Sequence, residues 1–137
     1  MTFTVTPVMK TNEITALIVD TAIRIHRDLG PGLLESVYKT VLVHELTKRG
    51  LSCERQKQVA IKYDDLIIPD AFRADIIVNG IVLLELKSVE CLDKVHFKQT
   101  LTYLRLTGIR VGFLVNFNAP LLKDGIHRIV NGFDETS

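Results

Sequence analysis

Only two cysteines occur in the 137 residues, Cys53 and Cys91, and they form no Cys-x-x-Cys pair. Both read as reduced thiols, which excludes a disulfide scaffold and a cysteine zinc site. No apolar run approaches the roughly 20 residues that a bilayer-spanning helix needs: residues 41–43 stop at His44 and residues 81–84 stop at Glu85. The N-terminus has no basic start followed by an apolar stretch, so no secretory signal is read and a cytoplasmic protein is expected. Neither sign of charge dominates. Seventeen Lys plus Arg face sixteen Asp plus Glu, a net charge of +1, so any binding of a polyanion has to come from local placement of charge. His26, His44, His96 and His127 are scattered, with no His-Glu-x-x-His and no Cys/His spacing for zinc. Phosphate-loop and nucleophile-elbow motifs are also missing, which removes P-loop NTPase and α/β-hydrolase readings. Gly30-Pro31-Gly32 is no dinucleotide loop: no strand precedes it, Pro31 lacks a donor, and Glu35 brings negative charge where the last glycine would stand.

What is present, 47% hydrophobic and 24% charged residues, suits one compact domain over 1–137 with a core of about 11–132. Residues 1–10 alternate Thr with apolar residues around Pro7 and fit either an edge strand or a loose arm. From Thr11 or Asn12, Ile14, Leu17, Ile18, Ala22 and Ile25 recur at helical spacing until Gly30-Pro31. A second helix is expected from Gly32 or Leu33, with Leu34, Val37, Tyr38, Val41, Leu42 and Leu46 on one stripe, ending at Gly50. The period then changes. Residues 58–63, 66–68, 72–78 and 81–87 read as strands punctuated by Asp64-Asp65, Pro69-Asp70 and Asn79-Gly80. A helix over 93–107 follows, with Val95, Leu101 and Leu104 on its apolar side and Phe97 a further candidate there; then come a buried strand at 111–117 and a short strand within 121–130. This order implies an α/β fold with a mixed β-sheet flanked by α-helices.

The chemistry concentrates near Asn79-Gly80. Glu85 and Lys87 lie two apart in an otherwise apolar strand, so both face one side while Leu84 and Leu86 face the other. Burying two such charges requires a partner, a metal or a solvated cleft. Asp75, on the preceding strand, is the third member, and its face depends on register. A two-residue turn at Asn79-Gly80 sets Asp75 against Leu84; a three-residue loop with Gly80 left-handed, or a bulge, returns it to Glu85 and Lys87. The loop or bulge is expected. Two carboxylates on adjacent strands make a hard oxygen site suited to Mg²⁺ or Mn²⁺, and a neighbouring lysine can orient or deprotonate an attacking water or balance charge on a phosphorane.

Asp75 followed by Glu85-Leu86-Lys87 resembles the metal-binding signature of the PD-(D/E)XK nuclease superfamily. Gly32-Leu33-Leu34-Glu35-Ser36-Val37-Tyr38 matches the motif of its GxxExxY branch. Residues 26–32, 54–56 and 122–126 also look like that branch, so the resemblance runs from about Ile14 to Gly132. It implies a PD-(D/E)XK, restriction-endonuclease-like fold. It further implies that Asp75 and Glu85 hold the metal, with the Leu86 backbone carbonyl as a further ligand, that Lys87 is the catalytic lysine, and that Glu35 is a helical acid of the metal shell. Gln99 and Tyr103 fit the QxxxY motif of the RecB-like branch, four apart on one helix face. Ala74 stands before Asp75 where the superfamily name has proline.

Each residue also has a plainer reading. Glu85 and Lys87 could form a structural ion pair, Glu35 could favour the helix N-terminus, Tyr38 could be a core tyrosine with its hydroxyl at the cleft edge, and Gln99 and Tyr103 could serve surface and core. Arg55, Lys57, Arg73, Lys94, Lys98 and Arg105 are candidate phosphate contacts, and most charged residues are only solvated surface. Arg73, two before Asp75, is singled out, with Arg55 and Tyr38 as further substrate contacts. The resulting expectation is Mg²⁺- or Mn²⁺-dependent hydrolysis of nucleic-acid phosphodiesters, DNA before RNA, by a protein that could use a homodimer or a protein partner for target selection and has no membrane association. The alternatives are a non-catalytic nucleic-acid-binding or assembly module that keeps the nuclease fold, and a phosphoesterase acting on a small nucleotide.

Overall fold

The structure is a computed structural model that describes residues 9–132; residues 1–8, with most of the N-terminal segment left open above, and 133–137 lie outside the described residues. Along the chain run α1 (Thr11–Leu29), α2 (Glu35–Lys48), β1 (Cys53–Tyr63), β2 (Leu66–Val78), β3 (Val82–Lys87), α3 (Lys94–Thr107), β4 (Val111–Asn116), α4 (Leu122–Gly125) and β5 (Ile126–Val130). The strands form one sheet in that order, parallel between β3 and β4 and antiparallel elsewhere. The parallel pair is the one that α3 joins, because parallel neighbours need a long crossover. This is the mixed, helix-flanked sheet that the sequence implied.

The larger core lies under α1 and α2. Ile14, Ile18, Ala22 and Ile25 of α1 meet Tyr38, Leu42 and Leu46 of α2 over Ile76, Leu84, Leu86 and Val115 of the sheet. Ile14 to Ala22 recur every four residues, the spacing that stacks side chains on one helix face. α1 ends where Gly30, at φ 74°, donates its N–H to the His26 carbonyl. The second helix starts later than its apolar pattern suggests. Gly32 holds φ 97° and Leu34 is extended, so helical dihedrals begin only at Glu35. Leu34 and Val37, expected on the buried stripe, are 74% and 38% exposed. Tyr38, Leu42 and Leu46 carry the contact instead.

A smaller core of Ala74, Ile77, Leu83, Leu104 and Ile109 lies under α3. Gly112 of β4 leaves room between the strands and under α3: a Cβ there would lie 2.7 Å from the Leu83 carbonyl oxygen of β3 and 3.1 Å from Leu104 Cδ2 of α3. Only Thr100 and Leu104 of α3 are fully buried, and Val95, assigned to the apolar side, is exposed.

Two strands are longer than read from the sequence, and one punctuation mark is absorbed. β1 begins already at Cys53, and β2 runs through Pro69-Asp70. Val59 pairs with Phe72 and Ile61 with Ile68, so β2 carries extra residues between these pairs, and Pro69 falls where no ladder bond is required. The Asp64-Asp65 turn is as expected, with Asp64 at φ 56° between the paired Tyr63 and Leu66.

Candidate metal-binding active site

The β2–β3 connection sets the register of the site. Asn79 and Gly80 take φ 51° and 71°, the Ile81 N–H reaches the Val78 carbonyl, and Val78 pairs with Val82, which makes a three-residue loop. The Asn79 side chain also accepts the Ser52 N–H at 2.7 Å and holds the loop to the start of β1. Continuing the register through Ile77↔Leu83 and Ile76↔Leu84 puts Asp75 opposite Glu85. The three-residue loop and left-handed Gly80 are therefore as the sequence required.

Backbone pairing of β2 with β3 stops at Ile76↔Leu84, and side chains occupy the next position. The Asp75 N–H donates to Glu85 Oε1 at 3.2 Å, and the Leu86 N–H donates to Asp75 Oδ2 at 2.9 Å. β1 is irregular at the same level, where Gln56, between the paired Arg55 and Lys57, has φ 49°. Beyond this break β3 keeps only β4, with Glu85↔Leu114, Leu86↔Val115 and Lys87↔Asn116. Leu84 and Leu86 enter the α1–α2 core and Leu83 the α3 core, so alternation turns Glu85 and Lys87 to the α3 side.

Glu85 is 6% exposed. Burial first, and then the negative charge of Asp75, push its carboxyl up to about 8, while Lys87 pulls the other way. Two carboxylates thus face each other in a largely buried site, which makes it costly to ionise both. A hard divalent cation fits this donor set, since Mg²⁺ commonly takes one or two protein carboxylates and keeps several waters. Among the described residues no group of three His, Cys, Asp or Glu converges, so a third protein ligand would come from the main chain. N–H and C=O of one strand residue point to the same side. The Leu86 N–H is directed at Asp75, whereas the Lys87 carbonyl accepts from Phe117 on the β4 side. The Leu86 carbonyl therefore faces the gap.

The surrounding residues divide by helix. On α2, Glu35 Oε1 accepts the Ser88 N–H at 3.3 Å, one residue past Lys87, and Ser88 Oγ donates to the Leu33 carbonyl at 2.7 Å. Glu35 thus stands at the end of β3 and meets Ser88 rather than the carboxylate pair. On α3, Gln99 Nε2 donates to the Tyr103 hydroxyl at 2.8 Å, and the Tyr103 ring stacks on Phe72 at 4.0 Å. Burial, and next the Glu85 charge, raise the Tyr103 phenol above its ordinary value and keep its proton in place as a donor.

Three substrate contacts named from sequence are placed differently. Tyr38 has no exposed surface: its ring stacks on Phe117 at 4.5 Å, and its hydroxyl donates to the Gly30 carbonyl at 2.6 Å while accepting the Leu33 N–H. A side chain so enclosed has no face to offer a substrate, and Tyr38 is a core residue that braces the turn before α2. Arg73 is bonded to Asp70 at 3.3 Å, and Arg55 donates to Thr40 at 3.2 Å. Both are exposed, and the hydrogen bonds they make go to Thr40 and Asp70.

Two further residues belong to the site. Lys39 Nζ lies 2.9 Å from Asp75 Oδ1, and the residue is 8% exposed. Its sequence signal is its place four residues after Glu35 and next to buried Tyr38, on the helical face turned to the sheet. Asn116, at the end of β4, accepts the Val89 N–H and donates to the Val89 carbonyl, which fixes the segment that follows Lys87. No curated protein and no solved structure gives a significant match to the chain. The PD-(D/E)XK nuclease superfamily matches residues 12–129, a span that includes every residue of this site, and the chain belongs to that superfamily.

Proposed function

We propose that the protein is a Mg²⁺- or Mn²⁺-dependent nuclease that hydrolyses phosphodiester bonds of nucleic acid, DNA in preference to RNA, and that it belongs to the GxxExxY branch of its superfamily. The observation that carries this reading is the opposition of Asp75 and Glu85 across the broken β2–β3 ladder, with Lys87 on the side of Glu85. Support for the branch comes from what its motif residues do: Gly32 takes a positive φ, Tyr38 braces the turn, and Glu35 reaches Ser88.

Asp75, Glu85 and the Leu86 carbonyl would hold the cation. When bound, it polarises the scissile phosphate and makes the attacking water more acidic. Lys87 orients that water or takes its proton, and its ammonium form offsets charge on the phosphorane. Glu35, through Ser88, steadies the segment directly after Lys87. Tyr103, kept protonated and held by Gln99 and Phe72, supplies a neutral donor to a phosphate oxygen.

The test is a gel assay of wild type and Lys87→Ala on single-stranded DNA, duplex DNA and RNA, with Mg²⁺, with Mn²⁺ and with EDTA. Cleavage is expected with metal, on DNA before RNA, and reduced about 100- to 1,000-fold in the variant. Binding of nucleic acid by wild type without cleavage under any condition would replace this reading with a non-catalytic module.

A further inference from the structure

Lys39 stands out among the charged groups because it is buried and its ion pair is with a residue assigned to the metal. Its ammonium contacts Asp75 Oδ1 at 2.9 Å, with side chains 11% and 18% exposed. The second oxygen of Asp75 accepts the Leu86 N–H, so both oxygens have a donor. The pairs Lys48–Glu45, Arg49–Glu45, Lys57–Glu54 and Arg73–Asp70 join partners three or four apart in sequence and are more exposed. Lys39 instead reaches from α2 to β2, across 36 positions of sequence.

We infer that Lys39 is an internal counter-ion that holds the Asp75 carboxylate in place without metal and competes with the divalent cation for it. The inference rests on the proposed metal site. The physical reason is proximity: an ammonium in contact with a metal-ligating carboxylate repels a dication on the same group, and screening is weak where both side chains are mostly buried. It also satisfies a carboxylate that would otherwise leave water incompletely paired. Lys39 is thus a positioning residue acting through Asp75. It makes a preformed site compatible with modest metal affinity.

Calorimetric titration of Mn²⁺ into wild type, Lys39→Gln, Lys39→Arg and Glu85→Gln tests this. Lys39→Gln keeps a donor for Asp75 without the charge, and its Mn²⁺ affinity is expected to rise by about tenfold or more, with Lys39→Arg staying near wild type. A merely structural lysine predicts the opposite, since a misplaced Asp75 binds metal more weakly. Unchanged or weaker binding by Lys39→Gln overturns the inference. If Lys39→Gln is too unstable for titration, melting from a low starting temperature with and without Mn²⁺ replaces it. Mn²⁺ must then raise its melting temperature more than that of wild type, and an equal or smaller rise overturns the inference. Glu85→Gln separates the two failures. If it abolishes binding while Lys39→Gln binds as wild type does, only the role of Lys39 falls; if it binds as well as wild type, or if no protein binds Mn²⁺, the metal site falls and this inference with it.

Discussion

From the α2 side the β2–β3 pair meets charge, and from the α3 side it meets neutral groups. Lys39 pairs with Asp75, and Glu35 holds Ser88 at the end of β3. Across the sheet, Gln99 and Tyr103 present an amide and a phenol, and the Tyr103 ring is anchored by its stack on Phe72. The difference follows the packing. α2 lies on the large core, where deep burial makes a lone carboxylate costly and a paired lysine useful. α3 covers a smaller core, and there Gln99 is exposed and Tyr103 half-buried, so these hydrogen-bonding groups need no ionic partner. The α2 layer therefore sets the charge of the site, and the α3 layer sets its shape.

The comparison is broken most severely at the group between the two layers. Glu85→Gln is expected to reduce cleavage about 1,000-fold or more and to stabilise the metal-free protein at pH 8. Folded wild type keeps a proton on Glu85 up to about pH 8, whereas the unfolded chain loses it near the ordinary value of 4.5. Unfolding in that window releases a proton, so the stability of metal-free wild type falls as pH rises from about 4.5 to about 8 and levels off above. Melting in EDTA across this range should show the fall in wild type and a flatter profile in Glu85→Gln; parallel profiles would count against the crowded carboxylate pair.

A smaller effect is expected within the α2 layer. Tyr38→Phe keeps the stack on Phe117 but removes the hydroxyl shared by Gly30 and Leu33, at a cost of about 1–2 kcal/mol in denaturant unfolding. A larger loss of cleavage than of stability would show that the turn before α2 also positions Glu35. The smallest effect is expected on the α3 side. Tyr103→Phe retains the stack on Phe72 and loses one neutral donor, so cleavage should fall by less than about tenfold with the melting temperature nearly unchanged. A loss as large as that of Glu85→Gln would move the phenol into the chemistry itself.

Much of this was legible in the chain because its signals are local. The four-residue recurrence of Ile14, Ile18 and Ala22, and the apolar run that makes β4, identify elements whose burial is satisfied by their own periodicity. The Asn79-Gly80 loop and the two-residue spacing of Glu85 and Lys87 carried the register of the candidate site, because turn length and side-chain alternation allow few solutions. The late start of α2 was not legible, since the apolar pattern runs back through Leu34 and only the backbone at Gly32 and Leu34 shows where the helix begins. The passage of β2 through Pro69 depended on a bulge opposite β1, which no local pattern encodes.

The sequence by itself determined the order of elements, the carboxylate pair and the lysine beside it, because strand alternation and turn geometry act over a few residues. Only the tertiary structure decided what surrounds them. It buried Tyr38, turned Arg55 to Thr40 of α2 and Arg73 to Asp70, and brought Lys39 from α2 to Asp75. Those outcomes depend on how a helix is rotated against the sheet, a choice made by the packing of distant side chains and therefore absent from any short stretch of the chain.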